Sequence, residues 1–137
     1  MKLNQILCGV DFSETSVQAF EAAVEHARTF KADLHVIHVI EADPAVPDLS
    51  LEAKAISAMD VLVAPAQETL NGVRLTSEVT TGRAFVEILS RVRERRHDLI
   101  VLGAKGITLL ERNGFWKHFG ACREGSTLFR IDREKLI

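Results

Sequence analysis

The residues that could do chemistry are concentrated in one short stretch, LGAKG, from Leu102 to Gly106. Two glycines three residues apart follow an apolar run, and such glycines let backbone N–H groups approach a phosphate. A helix behind the loop would favour the negative charge of the phosphate. However, Phe115 and Trp116 stand where that helix should begin. The stretch therefore predicts the first half of a phosphate site and leaves the second half in question.

Other residue types that support catalysis or metal binding show no matching pattern. The five histidines have no metal-ligand spacing. His35 and His38 lie three apart in a predicted strand, so their side chains should point to opposite faces. Ser13 has no matching His/Asp constellation, so a hydrolase triad is unsupported. We predict no metal site and assign no catalytic residue.

Composition sets the class of protein. A chain of 137 residues predicts a single domain, 1–137, and the apolar share of 47% with 26% charged residues is typical of globular proteins. A net charge of −2 gives no reason to expect nucleic acid or an anionic membrane as a partner. Two cysteines make no disulfide framework, and no apolar run approaches the roughly 20 residues that span a bilayer. We expect a cytoplasmic location.

Strand and helix patterns alternate along the chain. A proline-rich loop follows the second strand, and Pro65 marks a kink or break in the second helix. Right-handed crossovers turn this order into an α/β, doubly wound, Rossmann-like parallel sheet with strand order 3-2-1-4. The predicted strands cover 5–10, 33–40, 73–82 and 98–103, and the predicted helices cover 14–30, 51–70 and 84–96.

The loops after three of these strands should form the ligand site. In doubly wound sheets, ligands bind beyond the carboxyl ends of the strands, where the strand order reverses. The segments GVDFS, HVIEA and LGAKG end there if the first and fourth strands are neighbours. Asp11 and Lys105 are the chemically reactive side chains on these loops.

The segments ILCGVDFSETS, ADLHVIHVIE and HDLIVLGAKG, in this order and spacing, resemble the universal stress protein family from Leu3 to about Gly106. The resemblance implies a five-stranded α/β fold and a homodimer that acts in the stress response. It also implies ATP binding in members that carry G-x2-G-x9-G-[ST] after the fourth strand. Members without that motif generally do not bind ATP.

The resemblance also implies which residues hold the nucleotide. Asp11 resembles the family aspartate that faces the adenine and ribose, although a capping role for the following helix is an equal alternative. Val39 would flank the base, and backbone groups after the fourth strand would reach the first phosphates. The full set of candidate cofactor-binding residues is Gly9, Val10, Asp11, Val39, Leu102, Gly103, Ala104 and Gly106.

The C-terminal tail, 114–137, departs from the family. Gly103 and Gly106 match the first two motif glycines, but Trp116 and Lys117 stand where glycine and Ser or Thr are needed, and Gly114 falls two residues early. We therefore expect weak or absent ATP binding by this chain.

A shift of the reading frame explains the departure. If the codons from Phe115 are read one nucleotide later, the Trp codon TGG and the following A of lysine give GGA, a glycine at position 116. The codons then permit GSISEHVVREAPCSVLTVRS and a stop, which resembles an ordinary C-terminus of the family. We interpret the tail as out of frame. A natural frameshift or a sequence error would account for such a shift, and genuine divergence in the present frame is the alternative.

The tail also bears on the dimer and on the last strand. In the family the fifth strand commonly pairs across the dimer interface, and its counterpart here is doubtful. Ser126–Asp132 alternates in polarity and is the candidate for an edge strand, so we expect an altered dimer. The alternative function is a small α/β enzyme that hydrolyses nucleotides in the same crevice, for which Asp11 and Lys105 are the available groups.

Overall fold

The computed structural model describes residues 4–114, 122–123 and 128–131. Strands and helices alternate as predicted through the first three units, and a fourth helix follows the fourth strand. The elements are β1 Gln5–Gly9, α1 Glu14–Phe30, β2 Asp33–Glu41, α2 Leu49–Thr69, β3 Leu75–Gly82, α3 Ala84–Arg95, β4 Leu99–Leu102, α4 Ala104–Arg112, β5 Cys122–Arg123 and β6 Leu128–Arg130.

One sheet contains the six strands of the described residues, in the order β3-β2-β1-β4-β6-β5. Strands β1 to β4 pair in parallel, which confirms the predicted order 3-2-1-4. Strand β6 pairs antiparallel with β4, so three residues of the predicted edge strand do cover β4. The rest of the prediction for the tail, including Trp116 and Lys117, lies outside the described residues.

Alternate residues of each strand supply two separate cores. Ile6 and Cys8 of β1 pack in the core that includes α1 and α2, whereas Leu7 packs in the core that includes α3 and α4. This alternation follows from the two-residue period of a strand. Because both faces are covered, the central strands are apolar on both sides, as parallel strands generally are.

The first two helices begin at side-chain caps. Ser13 is the N-cap of α1, and its Oγ accepts from Ser16 N at 3.4 Å. Helix α2 begins two residues before the predicted start, because the carboxylate of Asp48 accepts from Leu51 N at 3.1 Å. Pro65 lies within α2, which continues to Thr69, so the predicted break is wrong.

Helix α4 was not predicted, because the glycines after β4 were interpreted as a loop. Ile107 and Leu110 are buried and three residues apart, which is the apolar spacing of a helix. Gly106 lies in the first turn of this helix rather than in a loop. The loop after β4 is therefore a single residue, Gly103.

Asp98 fixes the start of β4 against β1. Its Oδ2 accepts from Asn4 N at 2.8 Å and from Gln5 N at 2.9 Å, while its carbonyl accepts from Ile131 N at 2.8 Å. The side chain thereby satisfies two backbone donors at the amino end of the sheet. These hydrogen bonds fix the register of β4 against β1 and so align the carboxyl ends of the two strands.

Candidate functional site

A crevice of about 240 Å³ opens at the carboxyl ends of β1, β2 and β4. This is the predicted position, between the strands where the order reverses. Seven of the eight predicted site residues line it, and Ala104 does not. The lining residues are Gly9, Val10, Asp11, Ser16, Ile37, Val39, Glu41, Ala84, Ile88, Leu102, Gly103, Lys105, Gly106 and Leu109.

Gly103 brings the end of β4 into backbone contact with the start of α1. A Cβ on Gly103 would lie 2.7 Å from Ser16 N and 2.9 Å from Ser16 Cα. Backbone atoms cannot move aside as a side chain does, so glycine is required here for packing. The first glycine of the phosphate-loop pattern thus has a structural role that is independent of any ligand.

Leu102 forms the floor of the crevice between two further glycines. A Cβ on Gly9 would lie 2.6 Å from Leu102 Cδ2, and a Cβ on Gly106 would lie 3.2 Å from Leu102 Cβ. The Leu102 side chain is 2% exposed. The two glycines therefore let Leu102 pack closely against the backbone of β1 and α4, and Leu102 supplies a buried apolar floor for the crevice.

The start of α4 offers fewer backbone donors than the sequence predicted. Ala104 N donates to Thr15 Oγ1 at 3.3 Å, so this group is occupied within the protein. The N–H groups of Lys105 and Gly106 lie in the first turn of α4, where a helix leaves its donors unpaired, and no described residue accepts from them. Because the helix dipole is positive at this end, these two groups favour an anion.

Asp11 lies exposed at the mouth of the crevice and holds the loop before α1. Its Oδ1 accepts from Ser13 N at 3.0 Å and from Ser13 Oγ at 2.5 Å. Partial burial raises the pKa of the Asp11 carboxyl, but hydrogen bonds from Ser13 and Ser16 and the charge of Lys105 outweigh it, so the pKa lies below its usual value. The N-cap of α1 is Ser13, and Asp11 orients it. Asp11 therefore combines a local structural role with a place in the crevice.

The loop after β1 is held by a contact that the sequence did not predict. Phe12 has φ of 64°, which is uncommon for an aromatic residue, and its ring lies 4.7 Å from that of His38. His38 Nδ1 lies 2.7 Å from the carbonyl oxygen of Val10, to which it donates. His38 thus fixes the turn that carries Asp11. His35 and His38 do lie on opposite faces.

Glu41 caps helix α3 at the crevice. Its Oε1 accepts from Ala84 N at 3.0 Å, and the N-cap residue of α3, Arg83, makes no side-chain cap of its own. The residues are 43 positions apart, so no local pattern signals the contact. Glu41 places a carboxylate on the β2 side of the crevice, opposite Lys105 of α4.

The two sides of the crevice differ in chemistry. Ile37, Val39, Ile88 and Leu109 provide an apolar wall that suits a flat ring, while Lys105 and the first turn of α4 provide positive charge. Among the residues that the structure describes, no group of three or more His, Cys, Asp or Glu is placed to hold a metal ion.

A family model described as the universal stress protein family matches residues 2–115. The chain belongs to the universal stress protein family. The match ends at the point where the tail departs from the family pattern, and it confirms the resemblance found in the sequence. In the part of the chain that the structure describes, no helix is long and apolar enough to cross a membrane.

Three relatives illustrate the similarity. A universal stress protein of Methanocaldococcus jannaschii is 30% identical over 117 residues, covering 79% of this chain and 68% of that protein. The structure of a universal stress protein from Lactobacillus plantarum is 27% identical with a TM-score of 0.54, covering 76% of this chain and 79% of the other. A family protein from Arabidopsis thaliana, solved with AMP bound, is 22% identical with a TM-score of 0.59, covering 82% and 83%.

Proposed function

We propose that this universal stress protein binds an adenine nucleotide in the crevice and acts as a regulatory module of the stress response, without a dedicated turnover. One observation carries the proposal. The first turn of α4, with Lys105 and two N–H groups from which no described residue accepts, faces an apolar wall where the strand order of the sheet reverses. The AMP-bound relative shares this fold, which supports an adenine nucleotide as the ligand.

The groups of the crevice suit a nucleoside monophosphate in particular. Val39 and Ile37 would pack on the base, Asp11 would accept from the ribose hydroxyls, and Lys105 with the N–H groups of α4 would bind the first phosphate. At the positions that bind the further phosphates in the family, this chain has Trp116 and Lys117 in place of glycine and Ser or Thr. ATP would therefore bind weakly or not at all. The proposal includes a homodimer, altered at the outer edge of β4 because β6 already pairs there.

Lys105→Gln is expected to weaken AMP binding about tenfold, because it removes a charge-assisted hydrogen bond worth roughly 1.5 kcal/mol or more. Adenosine, which has no phosphate, should bind both proteins equally. Isothermal titration calorimetry with AMP and with adenosine measures both effects.

Lys54→Gln is the matched control, because Lys54 is exposed on α2 and lies outside the crevice lining. Equal AMP affinities for the two variants would show that Lys105 does not bind the phosphate. No AMP binding by the unchanged protein at millimolar concentration would refute the proposed function itself.

A further inference from the structure

A second polar cluster lies between the sheet and α3, away from the crevice. Arg91 Nε of α3 lies 2.6 Å from Glu78 Oε1 of β3, and His35 Nε2 of β2 lies 3.0 Å from the same oxygen. His35 Nδ1 lies 2.6 Å from Thr76 Oγ1 of β3. Arg91 Nη1 also forms an ion pair with Glu87 Oε2 at 3.2 Å. Arg91 thus joins α3 to β3 through Glu78, and His35 of β2 joins the same carboxylate.

His97 extends this cluster at the turn between α3 and β4. The side chain is fully buried, and its ring stacks on that of His35 with the centroids 6.4 Å apart. Nδ1 lies 3.2 Å from the carbonyl oxygen of Arg91, to which it donates. Nε2 has no hydrogen-bond partner among the described residues. This arrangement suits a neutral imidazole, because a protonated Nε2 would leave a buried N–H without an acceptor.

The charges around the two rings oppose protonation on balance. His35 faces Glu78, Arg91 and Arg95, while His97 faces His35, Arg95 and Asp98. The Asp98 carboxylate already accepts two backbone N–H groups. Burial, then the neighbouring His35 and Arg95, lower the pKa of His97 to about 4. Burial also lowers the pKa of His35 and outweighs its hydrogen bond to Glu78.

We propose that the His35–His97 pair is an acid-sensitive latch, which holds the C-terminal half of α3 on the sheet and releases it when the pair is protonated. The release is expected to be local because the apolar anchor of α3 is small, although Arg91 also pairs with Glu78 at 2.6 Å. Helix α3 buries two residues, Ile88 and Val92, whereas α1 buries six. Opening exposes both imidazoles to water and separates them from Arg95. The latch acts whether or not a nucleotide binds, although α3 also lines the crevice through Ala84 and Ile88.

The direction of the effect follows from proton binding. An exposed imidazole has a pKa near 6.5, so the open state binds more protons than the closed state below that pH. The closed state is therefore fully favoured above about pH 6.5 and loses stability as the pH falls towards 4. With these two values the opening equilibrium rises on the order of 50- to 100-fold between pH 7.5 and 4.5.

Nuclear magnetic resonance of the unmodified protein tests the latch. Imidazole signals would be titrated from pH 7.5 to 4, and amide exchange, corrected for its intrinsic pH dependence, would be followed in α3 and α1. We expect His97 to titrate well below 6.5 and the protection of Ile88–Arg95 to fall 50- to 100-fold between pH 7.5 and 4.5, while α1 keeps its protection. Titration of His97 near 6.5, or parallel loss in both helices, would overturn the proposal.

A pair of variants separates the latch from general acid sensitivity. His97→Gln removes the more deeply buried of the two titrating rings and should reduce the acid-dependent loss of α3 protection to the part that His35 contributes. His26→Gln, the same substitution on α1, should leave that loss unchanged. A loss of undiminished size in a folded His97→Gln protein would contradict the proposal. If His97→Gln does not fold, the titration of the unmodified protein still decides the question.

Discussion

Gly103→Ala is expected to lower the free energy of unfolding by about 3 kcal/mol, because an added Cβ would press on backbone atoms of α1. The nearest atoms would be Ser16 N at 2.7 Å, Ser16 Cα at 2.9 Å and Thr15 C at 3.0 Å. Relief of these contacts requires that β4 and α1 separate, which also widens the crevice. Urea unfolding followed by circular dichroism measures the change.

Gly106→Ala is the matched control, because it alters the other glycine of the same stretch. The nearest atoms to a Cβ there would be Leu102 Cβ at 3.2 Å and Leu102 Cδ2 at 3.3 Å, so a shift of a few tenths of an ångström relieves the contact. Alanine also favours a helix over glycine by up to about 1 kcal/mol. We expect a net change within about 1 kcal/mol. Equal losses in the two variants would show that Gly103 is not specifically required at the β4–α1 contact.

A second large effect is expected when the reading frame is restored from the codon for Phe115. The restored chain would carry glycine at position 116 followed by a serine or asparagine codon, in the spacing that completes the family motif. Two or three added charge-assisted hydrogen bonds, at roughly 1.5–3 kcal/mol each, correspond to at least a hundredfold gain in ATP affinity. Calorimetry with ATP on the original and the restored chain measures the difference.

Two controls accompany this experiment. The double variant Trp116→Gly, Lys117→Ser changes the two motif positions and keeps the rest of the tail, so it separates the motif from the remaining sequence. The coding DNA, read in three frames, shows whether a natural shift is present. Equal micromolar affinity of the original and restored chains would show that the third glycine is not needed for ATP.

The strand order and the place of the crevice could be predicted because they depend on local periodicity. Apolar runs at Gln5–Gly9 and Leu99–Leu102 mark buried strands, and the crossover rule then sets their order. The ends of parallel strands meet at one edge, which is why Asp11, Val39 and Gly103 all line the crevice. Each of these inferences uses residues that are close together in the sequence.

The contacts that shape the crevice could not be predicted in the same way. Glu41 caps α3 across 43 positions and His38 binds the carbonyl of Val10 across 28, and no periodicity signals which distant residues meet. Ala104 was assigned to the phosphate, but its N–H donates to Thr15. Helix α4 was not predicted because glycine is typical of loops, and Gly106 lies in the first turn of this helix. The burial of His97 could not be predicted either, because it depends on how α3 packs against β2.

The most direct test of the nucleotide crevice is to map AMP onto the uniformly ¹⁵N-labelled protein by amide chemical-shift changes. Our account predicts that the changes concentrate at the carboxyl edge of the sheet, on Gly9, Val39, Gly103, Lys105 and Gly106. Adenosine should shift the first two of these residues and leave the start of α4 nearly unchanged. A second cleft lies at the amino ends of the strands, and Arg74, Arg95 and Arg96 line it. Changes confined to that cleft, or none at saturating AMP, would contradict the account.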